Sequence, residues 1–170
     1  MRDCVEESIS LEVWSSKGTV ACYFAESRNT LRVAKSPANI LPLHAPAGAK
    51  AILSFMHIEQ TQKLLDYEFQ AFTENTILSK AELLSRLEQY NRQGYAVDDE
   101  ELHQGIYALG APIFDHLSKP VAAIVIVIPA TKITPQKEAA AAIQLKQTAA
   151  IISAQLKKTP VNPLSLNSKL

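Results

Sequence analysis

The chain has 170 residues, of which 47% are hydrophobic and 20% are charged, a composition typical of a globular domain. Seventeen basic and seventeen acidic residues cancel, so the net charge gives no reason to expect nucleic acid or an anionic membrane as a direct partner. Two cysteines are too few for a disulfide framework or a zinc site, and no apolar run reaches the length of a membrane span. We therefore expect one cytoplasmic domain without a metal or cofactor.

The N-terminal part is predicted to form three short strands. Apolar and polar side chains alternate over residues 9–14, which is the period of a half-buried strand. A turn at Lys17 and Gly18 leads to the run TVACYFAE, residues 19–26, and so predicts a hairpin. A third strand is expected over residues 30–34.

Helices are predicted in the middle of the chain. Small and apolar residues at helical spacing indicate a helix over residues 49–56, and a second helix is expected over residues 60–67. Ser79 followed by Glu82 forms a capping box before an apolar run, and Gly94 is a suitable C-terminal residue. This pattern predicts a third helix between the two signals.

Three further strands are predicted over residues 95–101, 104–115 and 119–129, and the last is apolar on both faces, as in a covered central strand. Thr134 as N-cap, followed by a proline at the first helical position, opens a long helix that runs to about Leu156. The order of strands and helices predicts an α+β fold with an antiparallel sheet.

The segment LPLHAPAGAKAILSF, residues 41–55, invites three interpretations. A phosphate-binding loop is excluded because Gly48 stands alone and Ala51 replaces the hydroxyl that follows the lysine in that motif. His44 could act as a general base, but no nucleophile motif accompanies it, and a histidine that hydrogen-bonds loop backbone is favoured. Small residues at the helix start suit either a ligand close to the backbone or tight helix–sheet packing, and spacing alone leaves both open.

An acidic run, Asp98-Asp99-Glu100-Glu101, lacks the alternating ligands and the glycine of a calcium loop. A solvated turn between strands is the default interpretation of this run. One of its carboxylates could instead point inward, either to receive a ligand hydroxyl or to brace the neighbouring strand.

Three segments, LPLHAPAGAKAIL, GYAVDDEELHQGIYALGAPIFD and PVAAIVIVIP, resemble in order and spacing the C-terminal effector-binding domain of IclR-type bacterial transcription regulators. The similarity runs from about Val5 to Leu156. It implies a GAF-like fold, in which helices flank a curved antiparallel sheet of about six strands with a pocket on one side.

The resemblance also implies a function. Such a domain is not an enzyme: it binds a small-molecule effector and forms dimers or tetramers, while a separate winged helix-turn-helix binds DNA. We expect residues 1–158 to form the effector-binding domain, residues 1–8 to end a linker helix and residues 159–170 to be a flexible tail. We expect the DNA-binding part to be absent from this chain, and no membrane partner is expected.

Carried over by position, the effector pocket of the family falls on nine residues, namely Val33, Leu41, Ala47, Gly48, Asp98, Ile106, Ala108, Val125 and Val127. Members that bind small oxoacids tend to place serine or cysteine at the positions of Ala108, Val125 and Val127, which are apolar here. A buried ligand group left without a hydrogen bond costs roughly 1–3 kcal/mol. An organic acid with an apolar or aromatic body is therefore expected, its polar end near the helix start and Asp98. The alternatives are a closed pocket that serves only oligomerisation, and an enzyme with His44 as base.

Overall fold

The computed structural model describes residues 1, 5–15, 18–33 and 40–158. The strands are β1 (Ser8–Ser15), β2 (Gly18–Ala25), β3 (Ile40–Leu41), β4 (Ala96–Asp99), β5 (Ile106–Phe114) and β6 (Pro120–Pro129). The helices are α1 (Ala47–Leu53), α2 (Ile58–Leu64), α3 (Lys80–Gln93) and α4 (Pro135–Lys158), and a 3-10 turn covers Ala130–Lys132. The strands form one antiparallel sheet in the order β3-β2-β1-β6-β5-β4, curled into a half-barrel. The predicted α+β fold with a curved six-stranded sheet is confirmed.

Local signals for the helix ends are confirmed in atomic detail. Ser79 Oγ accepts a hydrogen bond from the Glu82 N–H, and α3 ends at Gly94, which has the left-handed φ of 83° that glycine tolerates best. Thr134 Oγ1 accepts from the Lys137 N–H and so caps α4. These bonds satisfy backbone donors that the first helical turn leaves without partners.

The predicted third strand is wrong in position. Residues 30–33 form bends and irregular backbone, while β3 lies further on and pairs with Thr19 and Val20. Side chains hold the irregular segment instead of a ladder, since Ser8 Oγ donates to the Val33 carbonyl at 2.9 Å. The predicted turn residue Lys17, the position of Ala34, residues 2–4 of the expected linker helix and the expected tail all lie outside the described residues.

Apolar clusters lie on both faces of the sheet. On one face, Ala108 and Val125 pack with residues of α1 and α3, such as Ile52 and Leu83. On the other face, the intervening residues of β5 and β6 pack against α4. Strand β6 therefore contributes to both cores, which confirms the prediction of a central strand covered on both sides.

Helix α1 lies directly against the sheet at Gly110 of β5. A Cβ added at Gly110 would lie 2.6 Å from the carbonyl oxygen of Ala47 and 3.0 Å from the nitrogen of Gly48. Only a residue without a side chain allows this approach. The contact places the start of α1 over β5 and the neighbouring β6.

Candidate functional site

One face of the sheet brings together most of the residues that the resemblance assigns to the effector pocket. Asp98 lies opposite Ala108 across β4 and β5, and Ala108 lies opposite Val127 across β5 and β6. Val125 and Ile106 lie two residues from these positions and therefore share the same face. The five residues form a continuous patch across three neighbouring strands.

The start of α1 covers this patch. Ala47 is buried in the same cluster as Ala108 and Val125, and Val127 packs against that cluster. Gly48 is buried beside them, and a Cβ added there would lie 3.1 Å from Cγ2 of Val125. Residues from one helix and three strands therefore surround one small region.

The two remaining residues lie at its margin. Val33 is half-buried and receives the Ser8 hydrogen bond, and Ser8 lies opposite Val127. Leu41 is half-buried in β3 and pairs with Thr19 of β2. Both thus contact the N-terminal hairpin, Val33 through the Ser8 side chain and Leu41 through strand pairing.

That hairpin supplies polar residues that sequence reasoning missed. Ser8, Ser10 and Glu12 lie opposite Val127, Val125 and Ala123 of β6, and their exposed fractions are 0%, 4% and 5%. The alternation in β1 was interpreted as a half-buried strand, which would leave these polar side chains in water. Helix α1 covers Glu12, and Ser8 is hydrogen-bonded to the Ser27 N–H and the Val33 carbonyl, so the patch is apolar on β5 and β6 and polar on β1.

Glu12 is the ionisable member of the polar half. Its Oε2 accepts a hydrogen bond of 2.9 Å from Thr19 Oγ1, and a Cβ added at Gly48 would collide with the carboxyl group. Burial raises the pKa of Glu12 to about 7; the Thr19 hydrogen bond acts in the opposite direction, and nearby Asp98 adds to the rise. A carboxyl group that titrates near neutrality therefore lies at the start of α1.

Asp98 braces the turn that follows β4. Its Oδ1 accepts hydrogen bonds from the Glu101 N–H at 2.8 Å and from the Leu102 N–H at 3.2 Å. Burial raises the pKa of Asp98, and the positive charge of Lys50 opposes that rise. These hydrogen bonds brace the turn rather than the neighbouring strand, and contact of Asp98 with a ligand hydroxyl stays a prediction.

A buried ion pair lies next to this turn. Lys50 Nζ is 2.5 Å from Glu101 Oε1, and the exposed fractions of the two side chains are 0% and 8%. The solvated-turn interpretation is therefore wrong for Asp98 and Glu101, because the turn folds over α1 and buries both carboxyl groups. It holds for Asp99, which is exposed.

His44 connects the segment before α1 to the segment after α2. Its Nε2–H donates to the Gln70 carbonyl at 2.9 Å, and Nδ1 accepts from the Tyr67 hydroxyl at 3.0 Å. The ring also stacks on Phe69, with a centroid separation of 4.6 Å. Burial lowers the pKa of His44; the hydrogen bond to Gln70 opposes this change, and the charge of Lys50 adds to it. The interpretation of His44 as a hydrogen-bond partner of loop backbone is confirmed.

Replacing His44 with phenylalanine is expected to lower the free energy of unfolding by about 1–2 kcal/mol. The aromatic ring keeps the stack on Phe69 but leaves the Gln70 carbonyl without its donor. Urea unfolding measures the change. The exposed His116 provides the control, because a surface substitution there should change stability by less than about 0.5 kcal/mol. Equal stabilities of the two variants would contradict the structural role of His44.

Neither a membrane span nor a metal site is found in the described parts of the chain. No helix there is long and apolar enough to cross a bilayer. Within the same residues, no three His, Cys, Asp or Glu side chains converge as metal ligands would.

Comparisons with known proteins agree on one family of relatives. The profile of the family described as “Bacterial transcriptional regulator IclR C-terminal” matches residues 1–154. Transcriptional repressor IclR of Escherichia coli K12 is 40% identical over 98 residues, which are 57% of this chain and 36% of that protein. HTH-type transcriptional regulator KdgR of the same organism is 28% identical over 152 residues, 89% of this chain and 58% of that protein.

A solved structure agrees with these relatives. The crystal structure of IclR from Thermotoga maritima matches with a TM-score of 0.86 and 31% identity, over 91% of this chain and 63% of that one. The chain spans only part of the length of these relatives, at most 58% of the two curated ones. Because the family profile covers nearly all of its 170 residues, the chain belongs to the IclR family of bacterial transcription regulators, as a C-terminal effector domain.

Proposed function

We propose that this domain senses a small metabolite in the cytoplasm and thereby controls DNA binding by a helix-turn-helix domain of the same regulator. The observation that carries the proposal is the patch under α1. Residues assigned to the pocket by resemblance come from α1, β4, β5 and β6, and their strand registers place them side by side. The curated relatives named above are transcription regulators, which supports the same function.

The apolar wall favours an effector with an apolar or aromatic body. Ala108, Val125 and Val127 offer no hydrogen bonds from their side chains, so polar atoms of a ligand would lose water there without compensation. An organic acid is the chemical class that the resemblance suggests. Its polar end would lie near the start of α1, close to Gly48.

Signal transmission requires two arrangements of the subunits. We propose a dimer or tetramer in which the effector binds one arrangement more tightly and so shifts the relative placement of the attached DNA-binding domains. A ligand can shift an equilibrium only by its difference in affinity for the two states, and couplings of about 1–3 kcal/mol are typical.

A thermal-shift screen of aromatic and aliphatic metabolites tests the sensor function. A ligand at about 100 times its dissociation constant should add about 2.7 kcal/mol to the free energy of unfolding. Val127→Asp should abolish that stabilisation, whereas Val13→Asp, at a position with 42% exposure, should keep it. Failure of every compound to raise the melting temperature would contradict the proposal.

That negative result would favour the alternative of a domain that only assembles subunits. One observation supports this alternative, namely that Ile143 and Ile151 lie two turns apart on α4 with exposed fractions of 53% and 60%. Sedimentation of the unliganded chain would then show a stable oligomer.

A further inference from the structure

We propose that Glu12 sets the head-group specificity of the effector site: it disfavours a carboxylate and selects an effector whose polar end is an amine on an apolar or aromatic body. This inference rests on the proposed sensor function and revises the organic-acid class suggested by resemblance. It depends on three features of the site, namely the position of the carboxyl group, the charges around it and its hydrogen-bonding chemistry.

The first feature is position. The Glu12 carboxyl group lies against Gly48 and close to Val125, which are two of the residues assigned to the pocket. A ligand whose polar end approaches the start of α1 must therefore contact this carboxyl group or displace it. Glu12 is 5% exposed, so displacement into water would require α1 and β1 to separate.

The second feature is charge. Asp98 lies on the same face of the sheet, so two carboxyl groups face the region under α1. Among the lysines that the structure describes, Lys50 is the one that is buried, and its ammonium group already contacts Glu101 at 2.5 Å. A ligand carboxylate would thus meet like charges in a poorly hydrated place, which is costly. A ligand cation would meet opposite charges.

The third feature is hydrogen bonding. Thr19 donates a hydrogen bond of 2.9 Å to Oε2 of Glu12. An ionised carboxylate accepts several hydrogen bonds, so Oε1 can accept from a ligand. Bonds between an ammonium and a carboxylate are shorter and stronger than neutral ones. An amine therefore complements the site better than an alcohol, and an alcohol better than an acid.

Three probes that share one aromatic body test this order, namely 2-phenylethylamine, 2-phenylethanol and phenylacetate. Their affinities for the full chain are measured by calorimetry at pH 8 in the wild type and in Glu12→Gln. In the wild type the amine should bind most tightly and phenylacetate at least tenfold more weakly. Glu12→Gln should weaken amine binding at least tenfold and strengthen phenylacetate binding, because it removes the charge and keeps the size.

Glu88→Gln, at an exposed position of α3, is the matched control and should leave all three affinities unchanged. The wild-type comparison needs no variant, so the inference stays testable if Glu12→Gln fails to fold. Phenylacetate that binds the wild type as tightly as the amine would overturn the role of Glu12 and leave the sensor function intact. If none of the probes binds either protein, the head-group inference fails together with the aromatic-effector proposal on which it rests.

Discussion

Replacing Lys50 with methionine is expected to lower the free energy of unfolding by about 3–5 kcal/mol, since it removes one partner of a buried ion pair. The Lys50 side chain is fully buried, and Glu101 Oε1 lies 2.5 Å from its ammonium group. Glu101 Oε2 has no hydrogen-bond partner among the described residues. Without Lys50, the carboxylate would be buried with neither a counter-charge nor donors for this second oxygen.

The pKa shifts of Glu101 and Lys50 show that burial and charge pairing act in opposite directions on both groups. Burial raises the pKa of Glu101 to about 7, although the charge and hydrogen bond of Lys50 act to lower it. Burial likewise lowers the pKa of Lys50, and Glu101 opposes that change. Each partner therefore stabilises the charged form of the other, and the loss of either leaves a group that must stay charged at high cost or become neutral.

Urea unfolding at pH 8 measures the effect, and a double variant separates the causes. Lys50→Met combined with Glu101→Leu should recover much of the lost stability, because an apolar pair of similar volume can replace a buried ion pair at little cost. Lys80→Met is the control: its pair with Asp66 is exposed, so it should cost less than about 1 kcal/mol. A single variant within 0.5 kcal/mol of the wild type would contradict the role of the pair.

Local signals predicted the fold well where the structure depends on local chemistry. The capping box at Ser79, the glycine that ends α3 and the cap of α4 act within a few residues, so a sequence pattern suffices to find them. The third strand was misplaced because β3 has only two residues, too few for any periodicity. What holds residues 30–33 is a contact across 25 positions, from Ser8 to Val33, which no local pattern encodes.

The site shows a different limit of sequence reasoning. Position-by-position resemblance identified residues of β4, β5 and β6 that the strand registers then placed side by side. The polar face of β1 was missed because an alternating strand looks the same whether its polar side faces water or a covering helix. Glu12 is buried by α1, which begins 35 positions later, and Lys50 pairs with a residue 51 positions away. A carboxylate at residue 12, between Leu11 and Val13 in a predicted strand, is the one signal that could have raised the question.

The stability difference between the wild type and Glu12→Gln is expected to depend on pH. Burial raises the pKa of Glu12 from its ordinary 4.5 to about 7. Between these two pH values, the folded state keeps a proton that the unfolded state has lost. The contribution of Glu12 to the free energy of unfolding therefore falls by about 3 kcal/mol as the pH rises from about 4.5 to about 7. Glutamine does not titrate, so the variant does not lose this stability as the pH rises.

The wild-type curve alone would not isolate Glu12, because the raised pKa of Glu101 acts over the same pH range and His44 acts in the opposite direction. Burial lowers the pKa of His44 below its ordinary 6.5, so its contribution is lost as pH falls rather than as it rises. The difference between the two proteins cancels these contributions, since both contain Glu101 and His44. Urea unfolding should find Glu12→Gln close to the wild type at pH 5 and about 2–3 kcal/mol more stable at pH 8.

A difference that stays constant between pH 5 and pH 8 would mean that Glu12 is not the buried titrating group. If the difference does change, it has a consequence for ligand binding. Ionised Glu12 destabilises the unliganded fold at pH 8, and an ammonium group bound beside it would relieve that cost. The stabilisation of the wild type by 2-phenylethylamine should therefore be larger at pH 8 than at pH 5, whereas Glu12→Gln should show no such increase.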